Sequence, residues 1–246
     1  MSIPTFEQSP MAYARAAGLL YIIIAIVGAF SIGYMPSMVF AFGDAAATAE
    51  KIASNQGLFR LGIFADIVVI ICEIVLTAIL FVMLKSVNAT LSMMAAFSRL
   101  AMTVVMGLNL INYLVPLLLL SSPAYLSTFA PEQLSSLAML FLDAHEFGVY
   151  VWQVFFSLHL LVLGYLVFKS TFLPKILGLL MMLGSFGYLV QALEKLTLTE
   201  SDVISMLVIG LLVIVTIGEL AFALWLLVKG LNVERLNETL AAQSTA

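Results

Sequence analysis

Four ionisable side chains lie inside apolar stretches that are long enough to cross a membrane: Glu73, Arg99, His159 and Glu219. In hydrocarbon such a group is costly unless it is paired, protonated or in contact with water, so an ionisable residue there indicates a functional site. Carboxylates and imidazole can exchange protons or hold cations, and a guanidinium can bind an anion or neutralise a carboxylate. These four residues, the quartet, therefore predict where chemistry occurs, but not its substrate.

The members of the quartet fall near one level of the predicted membrane. At about 1.5 Å per helical residue, Glu73 is roughly 18 Å from the lysine that ends its span. His159 and Glu219 are each roughly 15 Å from the lysines that end theirs, and Arg99 is roughly 12 Å beyond the start of its own span. Because these groups come from four different spans, we expect them to meet.

A second group of polar residues is predicted nearer the outer surface, where it lines a polar cavity that opens outward and ends at the quartet. These cavity-lining residues are Asp66, Asn109, Asn112, Gln153 and Gln191. Asp66 comes seven residues before Glu73 and so shares its helical face. Three further polar residues are expected at the wet interface: Asp143, His145 and Glu146.

The composition is that of a membrane protein. Of the 246 residues, 63% are hydrophobic and 10% charged, and the mean hydropathy is +1.15. A soluble domain carries about 25% charged residues. The net charge of −4 provides no basic surface for nucleic acid. The sequence predicts an all-α, polytopic protein in which residues 1–246 form a single transmembrane domain in a lipid bilayer.

Six stretches satisfy the requirement of about 20 mostly apolar residues for a membrane-spanning helix. They are residues 12–34, 59–84, 91–120, 147–168, 175–193 and 203–228. The third contains Pro116 and is longer than one crossing, so we expect it to tilt, kink or project. Two short outer surface helices are also predicted, one capped by Asp44 and one beginning near Pro131 and running into the fourth span.

The distribution of basic residues favours cytoplasmic termini and a bacterial inner-membrane location. With the N-terminus inside, the cytoplasmic segments hold six basic residues and the outer segments three. The six are Arg15, Lys85, Lys169, Lys175, Lys229 and Arg235, and the three are Lys51, Arg60 and Lys195. Residues 233–246 then form a short cytoplasmic tail.

Several short motifs resemble a bacterial integral-membrane family catalogued as domain of unknown function 4386. They are GDAAATA (43–49), LFRLG (58–62), FSRL (97–100), FLDAH (141–145), FFSLH (155–159), LPKILG (173–178) and WLLVKG (225–230). The resemblance covers about residues 13–232. It implies a polytopic helical membrane protein and no particular activity.

The charges of the quartet support binding or translocation of a small molecule or ion, coupled to a proton. Arg99 can bind an anionic group or neutralise one glutamate, which leaves the other to be protonated or to pair with His159 in its charged form. No catalytic residue and no cofactor is predicted, and the motifs of soluble enzymes are absent. In a simpler alternative, the arginine–glutamate pair only fixes the helix bundle.

Two other classes of protein stay open. In an intramembrane metal-dependent enzyme, Glu73, His159 and Glu219, together with Asp66, would supply mixed nitrogen and oxygen ligands for zinc or iron. Against this class, no ligand pair has the usual helical spacing and Arg99 would repel a cation. In a receptor or regulatory subunit, the glycines of the fifth span would allow close helix contact, within the protein or in a homo-oligomer. These glycines are Gly178, Gly184 and Gly187.

Overall fold

The structure is a computed structural model that describes residues 5–121, 123–197 and 201–244. Within these ranges the chain is helical and has no strand, which confirms the predicted all-α class. The helices are α1 (Pro10–Gly28), α2 (Met35–Val39), α3 (Ala45–Ser54), α4 (Gln56–Leu84), α5 (Ala89–Asn109), α6 (Ile111–Leu120), α7 (Pro131–Lys169), α8 (Lys175–Leu196), α9 (Asp202–Val228) and α10 (Val233–Ser244).

Six helical segments are long and apolar enough to cross a membrane, as predicted. They are Pro10–Val39, Gln56–Leu84, Ala89–Leu120, Pro131–Lys169, Lys175–Leu196 and Asp202–Val228. Many large apolar side chains on these segments are exposed, as expected of surfaces that face lipid rather than water. The chain therefore has the architecture of a multi-pass membrane protein.

The two helices that the sequence predicts at a surface begin at the expected residues. Asp44 caps α3, since its carboxylate accepts a hydrogen bond of 2.9 Å from the backbone N–H of Ala47. Pro131 is the first residue of α7, which then continues without interruption for 39 residues to Lys169. Proline suits this position because its missing N–H would have no partner in the first turn.

Two of the spans have an irregular backbone. In the first span a π-helix, Ala29–Tyr34, separates α1 from α2. In the third span the helix breaks at Leu110, between α5 and α6, and Pro116 lies inside α6. The sequence predicts that this span tilts, kinks or projects, and the interruption lies six residues before Pro116. Such interruptions are frequent at functional sites, because they free backbone groups and redirect side chains.

The chain forms two compact units. Unit 1 comprises Met1–Ile22, Cys72–Thr103 and Tyr150–Ala246, and unit 2 comprises Ile23–Ile71 and Val104–Val149. All four residues of the quartet belong to unit 1. That the chain forms a single transmembrane domain stays a prediction.

The glycines of α8 are used for close packing inside unit 1. A Cβ atom on Gly184 would lie 2.6 Å from the Cα of Val215 in α9, and one on Gly187 would lie 2.8 Å from the Cβ of Leu211. Gly178 contacts the backbone of α7 at Gly164. Small residues let helix backbones approach in this way. From the sequence, these glycines could contact either another part of the chain or a second copy of it, and in the structure they pack within the chain.

We expect Gly184→Ala to lower the free energy of unfolding by about 1 to 3 kcal/mol, because the added methyl group overpacks the contact with Val215. Gly210→Ala on α9 is the matched control, since a Cβ there would meet no atom within 4 Å. Alanine has the higher helix propensity, so this control should leave stability unchanged or slightly raised. Unfolding in mixed micelles measures both effects. Equal destabilisation by the two variants would contradict the packing described.

Candidate functional site in the membrane-spanning helices

Arg99 is the centre of a polar cluster in unit 1. Its side chain is 1% exposed and lies on α5. Its Nε atom donates to Oε2 of Glu73 on α4 at 2.5 Å, and its Nη1 atom lies 2.8 Å from Nε2 of His159 on α7. Nη1 also donates to the hydroxyl of Tyr21 on α1 at 3.3 Å. The guanidinium carbon lies 5.1 Å from the centre of the Tyr21 ring, a cation–π distance.

The hydrogen bonds of His159 define the protonation of its ring. Nδ1 lies 2.8 Å from the carbonyl oxygen of Ala95, which can only accept, so Nδ1 carries the proton. Nε2 faces Nη1 of Arg99, which can only donate, so Nε2 must be the acceptor. These two contacts assign the neutral ring. They argue against the charged form of His159 that the sequence offered as a partner for the second glutamate.

Glu219 completes the cluster but has no direct partner. It lies on the face of α9 that carries the buried residues Val215, Gly218 and Phe222. Its carboxylate interacts electrostatically with Arg99 and Glu73. Over the described part of the chain, no side chain forms a hydrogen bond or an ion pair with it. The residue as a whole is of intermediate exposure.

Two different surroundings border the Arg99 cluster, which comprises Tyr21, Glu73, Arg99, His159 and Glu219. Towards the middle of α7 lie aromatic rings: Trp152 stacks on Phe156 at 4.7 Å, and Tyr188 meets Phe156 edge-on at 5.0 Å. Towards the Lys85 end of α4 lies a cavity of about 10 Å³, lined by His159, Thr77 and Ser92 and otherwise by apolar groups. That volume is about what one water molecule requires.

The predicted cavity-lining residues divide between the two units. Gln153 and Gln191 belong to unit 1, where Nε2 of Gln153 donates to Oε1 of Gln191 at 2.9 Å. Oε1 of Gln153 is buried and has no hydrogen-bond partner. Asp66, Asn109 and Asn112 belong to unit 2. The outward-opening cavity that would join all five stays a prediction.

The polar residues of unit 2 form a cluster of their own. Asn109 is the last residue before the break in the third span, and its Nδ2 donates to the carbonyl oxygen of His145 at 2.9 Å. Nδ2 of Asn112 donates to Oδ1 of Asn109 at 2.9 Å. Asp66 is 4% exposed and interacts with Ser31 of the π-helix and with Tyr113. The irregular backbone of both spans therefore occurs beside buried polar groups.

The sequence predicts His145 at a wet interface, but in the structure this residue is buried. Its ring is 6% exposed and stacks on Tyr113 at 3.7 Å, and its Nε2 atom is buried without a hydrogen-bond partner. Its neighbours on α7, Asp143 and Glu146, are exposed as expected. His145 is buried because residues three apart share a helix face, and Leu142 lies on the buried face of α7.

The geometry does not favour a metal at the quartet. Both ring nitrogens of His159 are occupied, and the carboxylate of Glu73 is held by Arg99. No group of three metal-ligating side chains occurs among the residues with described positions. A metal on His159 and Glu73 would have to break three hydrogen bonds, and the charge of a divalent ion would exceed the single negative charge that two acids and one guanidinium leave. The donor set therefore fits an arginine-neutralised carboxylate pair better than a metal centre.

The structure also adds residues that sequence reasoning overlooked. Tyr21 contributes both a hydroxyl acceptor and a ring face to Arg99. It lies between the apolar runs of the first span, after Leu20 and before Ile22, and that position was the available signal. Tyr113 and Ser31 in unit 2 carried no such signal, because their roles depend on the helix break and on the π-helix.

Comparison with known proteins places the chain in an uncharacterised group. A family model described as "Domain of unknown function (DUF4386)" matches residues 16–230. An uncharacterised protein of Archaeoglobus fulgidus is 38% identical over 77 residues, which are 31% of this chain and 43% of that protein. The aligned part thus spans less than half of the relative's length. No solved structure matches.

Proposed function

This chain belongs to the family described as a domain of unknown function (DUF4386), and we propose that it exchanges a small cation for a proton at Glu219. The observation that carries the proposal is the position of this carboxylate beside a neighbouring arginine that is already bound to another acid. A carboxylate at membrane depth without a partner is costly when charged. A proton or a bound cation removes that cost, and either can replace the other.

The charge balance of the Arg99 cluster supports one exchangeable position. Two carboxylates, Glu73 and Glu219, share a single guanidinium, and His159 is neutral. Ionisation of both acids leaves a net charge of −1, which one proton or one monovalent cation cancels. Arg99 donates from Nε and Nη1 to Glu73, His159 and Tyr21, and its single positive charge already faces two acids, so a bound anion would add to the net negative charge when both acids are ionised. The proposed ligand is therefore a cation.

Other members of the cluster would position these charges. Arg99 and His159 hold each other in place, and the Ala95 carbonyl fixes the orientation of the imidazole ring. The water-sized cavity beside His159, which is lined mainly by apolar groups, would hold at most one water as a proton carrier towards the Lys85 end of α4. With both termini in the cytoplasm, as we propose, this is the cytoplasmic side.

A ligand would approach from the opposite direction along the glutamine pair. The unpartnered Oε1 of Gln153 is an acceptor that suits a cation or an N–H group. Gln191 orients it through their mutual hydrogen bond. In unit 2, Asp66, Asn109 and Asn112 would form a further polar region used by the same class of ligand.

The proposal is tested by cation-driven proton release from the protein reconstituted in liposomes. Sodium, potassium and methylammonium ions serve as probes, and an internal pH-sensitive dye reports proton movement. We expect at least one of them to drive exchange in the wild type and none to do so in Glu219→Gln. Glu234→Gln, which removes an exposed acid on α10, is the control and should retain the activity. Exchange of equal rate in Glu219→Gln would refute the proposal.

A further inference from the structure

A second candidate site lies in unit 1 where three spans end. It is a cavity of about 360 Å³, lined by the loop between α7 and α8, the end of α9 and the start of α10. Its polar lining residues are Thr171, Lys229, Asn232 and Arg235, and Trp225 forms part of its wall. This cavity is separate from the Arg99 cluster, and the inference does not depend on the exchange proposed above.

The walls of the cavity are held by specific hydrogen bonds. Gly230 has a φ of 69°, a left-handed conformation in which glycine carries no steric penalty, and its N–H donates to the carbonyl of Trp225 at 2.8 Å. The N–H of Asn232 donates to the carbonyl of Phe172 at 3.1 Å, which ties the two sides together. The side chain of Asn232 then caps α10 by accepting from the N–H of Arg235 at 3.1 Å.

The charge of this cavity is positive. Lys229 and Arg235 both line it, and no acidic residue of the described chain does. The N-terminus of α10 begins at Val233, beside the lining residue Asn232, and its free backbone N–H groups add partial positive charge. Nη1 of Arg235 lies 3.4 Å from the Thr171 carbonyl, which holds the guanidinium against the wall. Lysine, arginine and a helix N-terminus together fit a phosphate group.

The position of the cavity along the spans indicates which kind of phosphate compound would bind there. The apolar helix α7 ends at Lys169, α8 begins at Lys175 and α9 ends at Val228, so the cavity lies where headgroups meet hydrocarbon. Trp225 is typical of that interface. Next to it on α9, Leu224 and Val228 are 52% and 66% exposed and offer apolar surface for an acyl chain.

We propose that this cavity binds the phosphate of an anionic phospholipid. Lys229 and Arg235 pair with the phosphate, Thr171 and the N-terminus of α10 lie beside it, and the acyl chains follow the exposed surface of α9. The cavity lies on the side of the protein with the excess of basic residues. That is the side on which anionic headgroups and basic membrane-flanking residues attract each other.

Native mass spectrometry of the purified full-length protein tests the inference. Phosphatidylglycerol is the probe, and phosphatidylcholine is the zwitterionic comparison. We expect one phosphatidylglycerol to remain bound at low activation energy, with no corresponding phosphatidylcholine. Lys229→Gln combined with Arg235→Gln should weaken phosphatidylglycerol binding about thirtyfold, because the headgroup loses its attraction to two basic groups. Lys229→Gln alone should weaken this binding about fivefold. The single variant tests the site if the double variant does not fold.

The matched control removes two charges at the same membrane level outside the cavity. Lys169 and Lys175 lie over the rings of Tyr165 and Phe168 and do not line the cavity. Lys169→Gln combined with Lys175→Gln should change binding less than threefold. An equal loss in both double variants would overturn the site in favour of general surface attraction. Equal affinity for glycerol 1-phosphate, which lacks acyl chains, would overturn the assignment to a lipid.

Discussion

Replacing Arg99 with methionine is expected to lower the free energy of unfolding by about 3 to 5 kcal/mol, because it leaves a buried carboxylate without its partner. Arg99 is fully enclosed and provides the ion pair to Glu73, the donor to His159 and the cation over Tyr21. Methionine has a similar length, so lost packing contributes little. Unfolding in mixed micelles, compared with that of the exposed-site variant Arg60→Met, measures the effect.

A double-mutant cycle separates the charge from the packing. Adding Glu73→Gln to Arg99→Met removes the orphaned carboxylate and should restore more than half of the lost stability. If the double variant is no more stable than Arg99→Met, then the ion pair is not what stabilises this cluster. In that case the contacts of Arg99 with His159 and Tyr21 would carry its effect.

The second large effect is functional: Glu73→Gln is expected to abolish cation-driven proton release although Glu219 is intact. Without Glu73, Arg99 has one remaining acid in electrostatic range, which is Glu219. One acid and one base balance without a proton, so Glu219 becomes the ionised partner of Arg99 and has nothing to exchange. Proton release from reconstituted liposomes should fall to the level of protein-free vesicles.

The control for this prediction keeps the negative charge at position 73 but carries it on a shorter side chain. Glu73→Asp retains the acid that neutralises Arg99 and should preserve measurable exchange. Retention of the wild-type rate by Glu73→Gln would show that Glu219 does not depend on a shared guanidinium. The charge balance proposed for the cluster would then be wrong.

Much of the fold follows from simple sequence patterns. Apolar length alone predicts all six spans, and cap chemistry predicts the starts of α3 at Asp44 and of α7 at Pro131. The common level of the quartet follows from helix rise. Three of its members, Glu73, Arg99 and His159, indeed make direct contact. These features are local or nearly so, and one sequence contains enough information to predict them.

The details of the site depend on interactions that spacing does not encode. Which glutamate pairs with Arg99 is set by the rotation of α4 and α9 about their axes. The neutral state of His159 depends on the carbonyl of Ala95, a backbone group invisible in the sequence. The burial of His145 depends on how α7 packs around the break in the third span. Each of these features depends on tertiary packing between helices, which residue spacing along a single helix does not specify.

The central claim, that Glu219 carries the single exchangeable proton of the Arg99 cluster, is tested most directly by infrared spectroscopy of the purified protein. The carbonyl stretch of a protonated carboxylic acid is resolved from that of carboxylates. A difference spectrum on adding the exchanging cation reports its loss. We predict one such band in the wild type, absent in Glu219→Gln and in Glu73→Gln and unchanged in Glu234→Gln. A band that persists unaltered in Glu219→Gln would place the proton on another group and contradict the account.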